Sequence, residues 1–116
     1  MTPKARDPQP HLPLTPAMFH MMVALADGEK HGYAIMKEVE HRTGGSVTLS
    51  AGTLYGIIKR LLAEGVIRES AVGSDDRRTA YRLTPFGRRV ALAEAQRLRD
   101  LVAAAHAMKL LPEPGV

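Results

Sequence analysis

Residues 50–65 read Ser50-Ala-Gly-Thr-Leu-Tyr-Gly-Ile-Ile-Lys-Arg-Leu-Leu-Ala-Glu-Gly65. At about 100° per residue, Leu54, Ile58 and Leu61, flanked by Ile57 and Leu62, gather on one arc of a helix. Gly52, Gly56, Lys59, Arg60 and Ala63 fall on the opposite arc. Ser50 supplies an N-cap and Gly65 a stop. Glycine inside a helix costs about 1 kcal/mol relative to alanine, so two of them on the outer face need a reason. Close approach of a rigid, anionic partner is one reason. The other reading is an ordinary amphipathic surface helix of untidy composition.

After Gly65 the pattern changes to period two, Val66-Ile-Arg-Glu-Ser-Ala-Val-Gly73, then the polar turn Ser74-Asp-Asp76, then Arg77-Arg-Thr-Ala-Tyr-Arg-Leu83. Two short strands joined by such a turn form a β-hairpin. Val66 or Ile67, Ala71, Tyr81 and Leu83 can face a core, and Arg77 and Arg78 start the return strand. Asp75 and Asp76 can pair with these arginines, but exposed pairs are worth under about 1 kcal/mol and a phosphate would displace them.

Upstream, Thr15 caps and Pro16 begins a first helix that carries Met18, Phe19, Met22, Val23 and Leu25 and ends at Gly28. Its apolar surface is wide: either one broad core face, or a core face plus a face for a partner chain through Met18 and Met22. A second helix runs from about Gly32 to Thr43, with Ile35, Met36 and Val39 inward, and Gly44-Gly45 ends it. This helix, the connector Ser46-Val-Thr-Leu49 and the helix of residues 50–65 make a helix-turn-helix. Val47 and Leu49 can add a short extended piece against the hairpin. Thr84-Pro85 repeats the start signal, and one long helix follows to about Leu110, where Pro112 and Pro114 end it. Leu98, Leu101, Ala105 and Met108, with Val102 alongside, recur as a seam for another helix. A helix of about 25 residues is about 38 Å long and overruns a small domain, so it either folds back or meets a partner.

Three separated stretches, His31-Gly-Tyr-Ala-Ile35, Leu49-Ser-Ala-Gly-Thr-Leu-Tyr55 and Tyr81-Arg-Leu-Thr-Pro-Phe-Gly87, occur in the order that resembles the PadR family of transcriptional regulators. The likeness runs from about Ala17 to Leu92. It implies a mainly α winged helix-turn-helix with a small β-hairpin and a long C-terminal dimerisation helix, forming a dimer that binds a pseudo-palindromic operator and usually represses. The domain organisation expected is a flexible Pro-rich arm over 1–14, the DNA-binding domain over 15–84, the dimerisation helix over 85–111 and a tail over 112–116.

On this reading Ser50, Gly52, Thr53, Tyr55, Gly56, Lys59, Arg60, Arg77 and Arg78 form the DNA surface. Ser50, Thr53 and the free amides beside them can hold a phosphate at the positive end of the helix dipole. Lys59 or Arg60 reaches a base edge or phosphate. Tyr55 either offers its hydroxyl to a phosphate or packs as a half-buried ring, and the arginines of the wing go to the minor groove or its backbone. Lys4 and Arg6 of the arm could touch a phosphate. Met18, Met22, Leu98, Leu101, Val102, Ala105 and Met108 are the expected dimer contacts.

Composition is compatible with this. The 116 residues suit one domain, and the formal charge of +4 fits a polyanionic partner without requiring one. The absence of cysteine excludes disulfides, thiolate metal sites and a cysteine nucleophile, and fits a reducing cytoplasm. No apolar run approaches the roughly 20 residues of a membrane span, and the proline-rich start lacks a signal peptide's apolar core. The five histidines, His11, His20, His31, His41 and His106, show no close metal-ligand spacing and no obvious carboxylate partner, so no enzyme site, cofactor or metal is assigned. A regulator using histidines and carboxylates of two chains to sense a metal, and a winged-helix adaptor for other proteins, are the competing readings. Some members of the family respond to aromatic acids or lipophilic drugs. Here six methionines could line an apolar cavity, tryptophan is absent, and the identity of any small-molecule effector is left open.

Overall fold

A computed structural model describes residues 6–70 and 79–112. The helices are α1 (Pro16–Ala24), α2 (Gly32–Arg42), α3 (Ala51–Ala63) and α4 (Pro85–Ala107), and the strands are β1 (Lys30–His31), β2 (Ile67–Glu69) and β3 (Ala80–Leu83). The strands form an antiparallel sheet in the order β1-β3-β2, with Ile67 opposite Leu83, Glu69 opposite Tyr81 and Lys30 opposite Tyr81. The expected hairpin is therefore present at its base, and its turn, with Arg77 and Arg78, lies outside the described residues. The additional strand is Lys30–His31, not the Val47–Leu49 stretch. Leu49 goes into the core instead, and Val47 is half-buried against it.

Hydroxyl caps set three of the helix starts. Thr15 accepts the Met18 N–H, Ser50 that of Thr53 and Thr84 that of Gly87, each satisfying an amide that a helix start leaves free. Helix α1 stops four residues before the expected Gly28, and the Lys30 ammonium donates to the Ala24 carbonyl and to Asp27 just past its end. Gly28 then turns the chain at φ +148°.

The core is one cluster shared by all the helices. Met18, Met21, Met22 and Leu25 of the α1 region pack with Ile35 and Val39 of α2, Leu54, Ile58 and Leu61 of α3, Val66, Ile67 and Tyr81 of the sheet region, and Val90 of α4. Met18 and Met22 are 5% and 0% exposed. This corrects the expectation that they meet a partner, since side chains already enclosed by their own domain have no surface left to offer. Of the two readings of α1, the broad core face holds for these methionines, and Phe19, His20 and Val23 are the partly exposed positions.

The arm is also corrected. Residues 6–14 are laid against the domain: Gln9–His11 form a 3-10 turn that contacts α4, and Leu14 is buried in the core cluster. The Leu14 N–H donates to Glu94 Oε2 at 2.9 Å, and Arg97 donates to the same carboxylate through Nε and Nη2. Glu94 is 1% exposed, so these bonds replace the water it has lost. The Arg97 hydrogen bond holds the Glu94 carboxyl below its ordinary 4.5, against burial, which raises it, and with help from the Leu14 amide. A carboxyl lowered in the folded state stabilises at pH values above its unfolded value, and that contribution disappears as the pH falls through the folded one. The urea midpoint should therefore fall as the pH is lowered through and below 4.5. A Glu94→Gln variant should show a shallower fall over that window; an unchanged slope would contradict the assignment.

Candidate nucleic-acid interface

Helix α3 divides as its sequence pattern requires. Leu54, Ile58 and Leu61 are at most 2% exposed, whereas Ser50, Gly52, Thr53, Tyr55, Gly56, Lys59 and Arg60 are all exposed. A Cβ built at Gly52 or Gly56 would meet nothing within 4 Å. Among the described residues nothing requires glycine at either position, so the helix carries a bare strip along its outer face at a cost of about 1 kcal/mol per glycine. The strip begins at the dipole's positive end, where the Ser50 hydroxyl donates to Thr53 Oγ1 at 3.0 Å.

Of the two roles the sequence left open for Tyr55, the structure shows the packing one. Tyr55 is 52% exposed, yet its hydroxyl lies so close to the first turn of α2 that a Cβ at Gly32 would sit 2.9 Å from it. Gly32 thus makes room for the ring, and the rest of the tyrosine faces outward. Next to it Tyr33 is 63% exposed, with the Lys37 ammonium 5.5 Å from its ring centroid. Tyr33 belongs to the His31–Ile35 signature stretch, and the sequence assigned it no contact.

Arg60 Nε is 3.0 Å from Glu64 Oε1 one turn on. Burial pushes the Glu64 carboxyl up, and hydrogen bonds from Arg60 and His11 outweigh it, leaving the carboxyl below 4.5. The Arg60 side chain is 64% exposed, so the pair is of the weak surface kind and its cation is available to a phosphate. Lys59 beside it is exposed.

The long helix supplies a second surface. Gly87, Val90 and Glu94 are buried, Leu98 and Ala105 are half-buried, and Leu101, Val102 and Met108 are 54%, 54% and 74% exposed. These positions continue one another at spacings of three and four, so a single stripe starts in the core and runs on past it. Leu92, 64% exposed, and Leu110, 75% exposed, extend the apolar surface and were missed. Leu92 lies off the stripe of Val90, Glu94 and Leu98, and Leu110 lies past the helix end.

Among the described residues no three His, Asp or Glu side chains gather to hold a metal ion, and no helix is long and apolar enough to cross a membrane.

A helix pair followed by a small antiparallel sheet and a long C-terminal helix is the architecture of a winged helix-turn-helix protein. The model of the transcriptional regulator PadR-like family matches residues 21–93, and the chain belongs to that family. Transcriptional regulator Rv3488 of Mycobacterium tuberculosis is 32% identical over 83 residues, which cover 71% of this chain and 75% of that one. An uncharacterized 37.1 kDa protein in transposon TN4556 of Streptomyces fradiae is 36% identical over 85 residues, covering 73% of this chain but only 24% of its own length. The chain therefore spans about a quarter of that relative. The crystal structure of a PadR family transcription regulator from hypervirulent Clostridium difficile superposes with a TM-score of 0.66 at 25% identity, covering 79% of this chain and 96% of the other.

Proposed function

We propose that the chain is a dimeric transcriptional repressor that places one α3 from each copy in successive major grooves of a pseudo-palindromic operator. The observation that carries this is the strip at Gly52 and Gly56, where nothing among the described residues occupies the space a side chain would fill. A helix is about 10–12 Å across with its side chains and the major groove about 12 Å wide, so a face without side chains is what lets a backbone approach base edges. Lys59 and Arg60 flank the strip and reach a base edge or phosphate; Ser50, Thr53 and Tyr55 hold the backbone in register. Arg77 and Arg78 belong by sequence position to the wing and supply phosphate contacts and salt dependence.

Dimerisation is supported by the stripe on α4. Its 23 residues extend about 35 Å, and the apolar stretch over its C-terminal end, with Leu101 and Val102 each 54% exposed and Met108 just beyond the helix 74% exposed, lies largely open to solvent. Two copies related by a two-fold axis would bury it and set the two α3 helices about 34–36 Å apart, as successive grooves demand. Clefts on either side of Phe19, between α1 and α4, have volumes of about 180 and 430 Å³. Lined by Phe19, Val23, Leu92 and Leu98, they are where a small apolar effector would act on the spacing of the two reading helices.

Selection of duplexes from a random-sequence pool by the full chain tests the proposal. The enriched sequences should be pseudo-palindromes with half-site centres about 10–10.5 base pairs apart, bound by two copies. A pool that stays random after repeated rounds would refute it and favour the adaptor reading.

A further inference from the structure

The segment before α1 is attached to two particular places. Arg6 Nη1 donates to the Glu64 carbonyl at 2.9 Å, and Glu64 is the C-cap of α3. A cation there satisfies a carbonyl the helix leaves free and faces the negative end of the dipole. The same guanidinium stands 4.0 Å above the ring centroid of Phe86, in the first turn of α4, and so close to Gly65 that a Cβ there would be 2.9 Å from Nη1. His11 sets its edge against Phe86, with ring centroids 5.2 Å apart, and its Nδ1 lies 3.4 Å from Glu64 Oε2. Leu14 closes the segment by its bond to Glu94 on α4. Glu64 is thus gripped by the segment through its carbonyl and one carboxylate oxygen while its other oxygen holds Arg60. Arg6, His11 and Leu14 precede the stretch, 21–93, that matches the family.

From this geometry we infer that residues 6–14 are a positioning strap for DNA reading. Arg6 and His11 fix Glu64, and through it both the C-terminal end of α3 relative to α4 and the direction from which Arg60 starts; neither residue touches DNA. The inference rests on α3 being the helix that enters the groove. A strap that positions changes how well the right sequence is told from a wrong one, whereas a phosphate contact changes affinity for every sequence alike.

The test compares the full chain with Arg6→Ala/His11→Ala, binding each to the duplex enriched by selection and to a random duplex over a range of salt. The double variant should lose about tenfold in affinity for the selected duplex, the scale of one misaligned base contact, with the random duplex and the salt slope unchanged. Arg6→Lys, which restores a cation able to reach the Glu64 carbonyl and Phe86, should recover most of the loss. His11→Ala alone, expected to stay folded because Arg6 and Leu14 still hold the segment, should show a smaller loss of the same selective kind. Equal loss on both duplexes with a flatter salt slope would make Arg6 a phosphate contact and overturn the inference, as would wild-type binding by both alanine variants. Failure of the parent chain to prefer any duplex would instead overturn the DNA-reading proposal on which the strap depends.

Discussion

Replacing Gly56 with leucine is expected to give a folded protein, at least as stable as the parent, that has lost its preference for the selected duplex by at least about a hundredfold. The two halves of this expectation have different causes. In the isolated fold, position 56 is interior to α3, exposed, and free of neighbours within 4 Å of a built Cβ. Leucine there relieves the entropic cost of glycine and should add roughly 0.5–1 kcal/mol of stability. In the groove the same side chain occupies the space that lets the backbone come near the bases, so the helix is held off and several direct contacts are lost together. Gly56→Ala should fall between, because one methyl group displaces the helix less. Thermal melting and titration against selected and random duplexes measure the two halves separately. A leucine variant that melts normally and still binds the selected duplex at full strength would remove this face of α3 from the interface.

What could be read from the sequence was what local rules encode. The boundaries of α3 follow from one cap, Ser50, and one left-handed glycine, Gly65 at φ +73°, and its buried arc follows from spacing alone. The start of α4 is equally local, since Thr84 and Pro85 state it twice. What could not be read depends on partners far along the chain. Four prolines in residues 1–14 argue for an extended arm, and nothing nearby indicates that Arg6 meets a carbonyl 58 residues away or that the Leu14 amide meets a carboxylate 80 residues away. Glu94 falls on the inner stripe of α4, where its charge reads as an interruption; only Arg97 and Leu14 together make its burial tolerable. Strand β1 has two residues, too few for a period of two to show, and exists because β3 offers it an edge. In α1 apolar residues nearly surround the helix, so spacing could not say that Met18 and Met22 turn inward while Phe19 and Val23 keep part of their surface free. For the proposed DNA face, the exposure of its positions was legible because glycine on an outer arc is anomalous, while the packing of Tyr55 against Gly32 needed the third dimension.

Gly87→Ala should have the opposite outcome to Gly56→Leu, and the contrast separates glycines kept for a partner from those kept for the fold. A Cβ at Gly87 would lie 1.9 Å from the Val66 carbonyl oxygen and 2.8 Å from its carbon. These are backbone atoms, so no rotamer change relieves the overlap. The carbonyl cannot retreat freely, because it accepts the Thr84 N–H and, at 3.1 Å, the Thr84 hydroxyl. Nor can the first turn of α4 move off without cost, because Phe86 is beneath Arg6 and Val90 is fully buried. One methyl group therefore forces α4 away from the start of β2 and disturbs the cap, the strap and the core together. Overpacking of this kind costs about 3 kcal/mol or more when the neighbours are backbone, which in a domain of this size lowers Tm by more than about 12 °C. DNA binding at a temperature where the variant is still folded should weaken as well, since α4 carries the proposed dimer seam. A Gly87→Ala protein melting within about 2 °C of the parent would mean that α4 does not approach β2 this closely, and the route by which the long helix would set the angle of the reading helix would lose its physical basis.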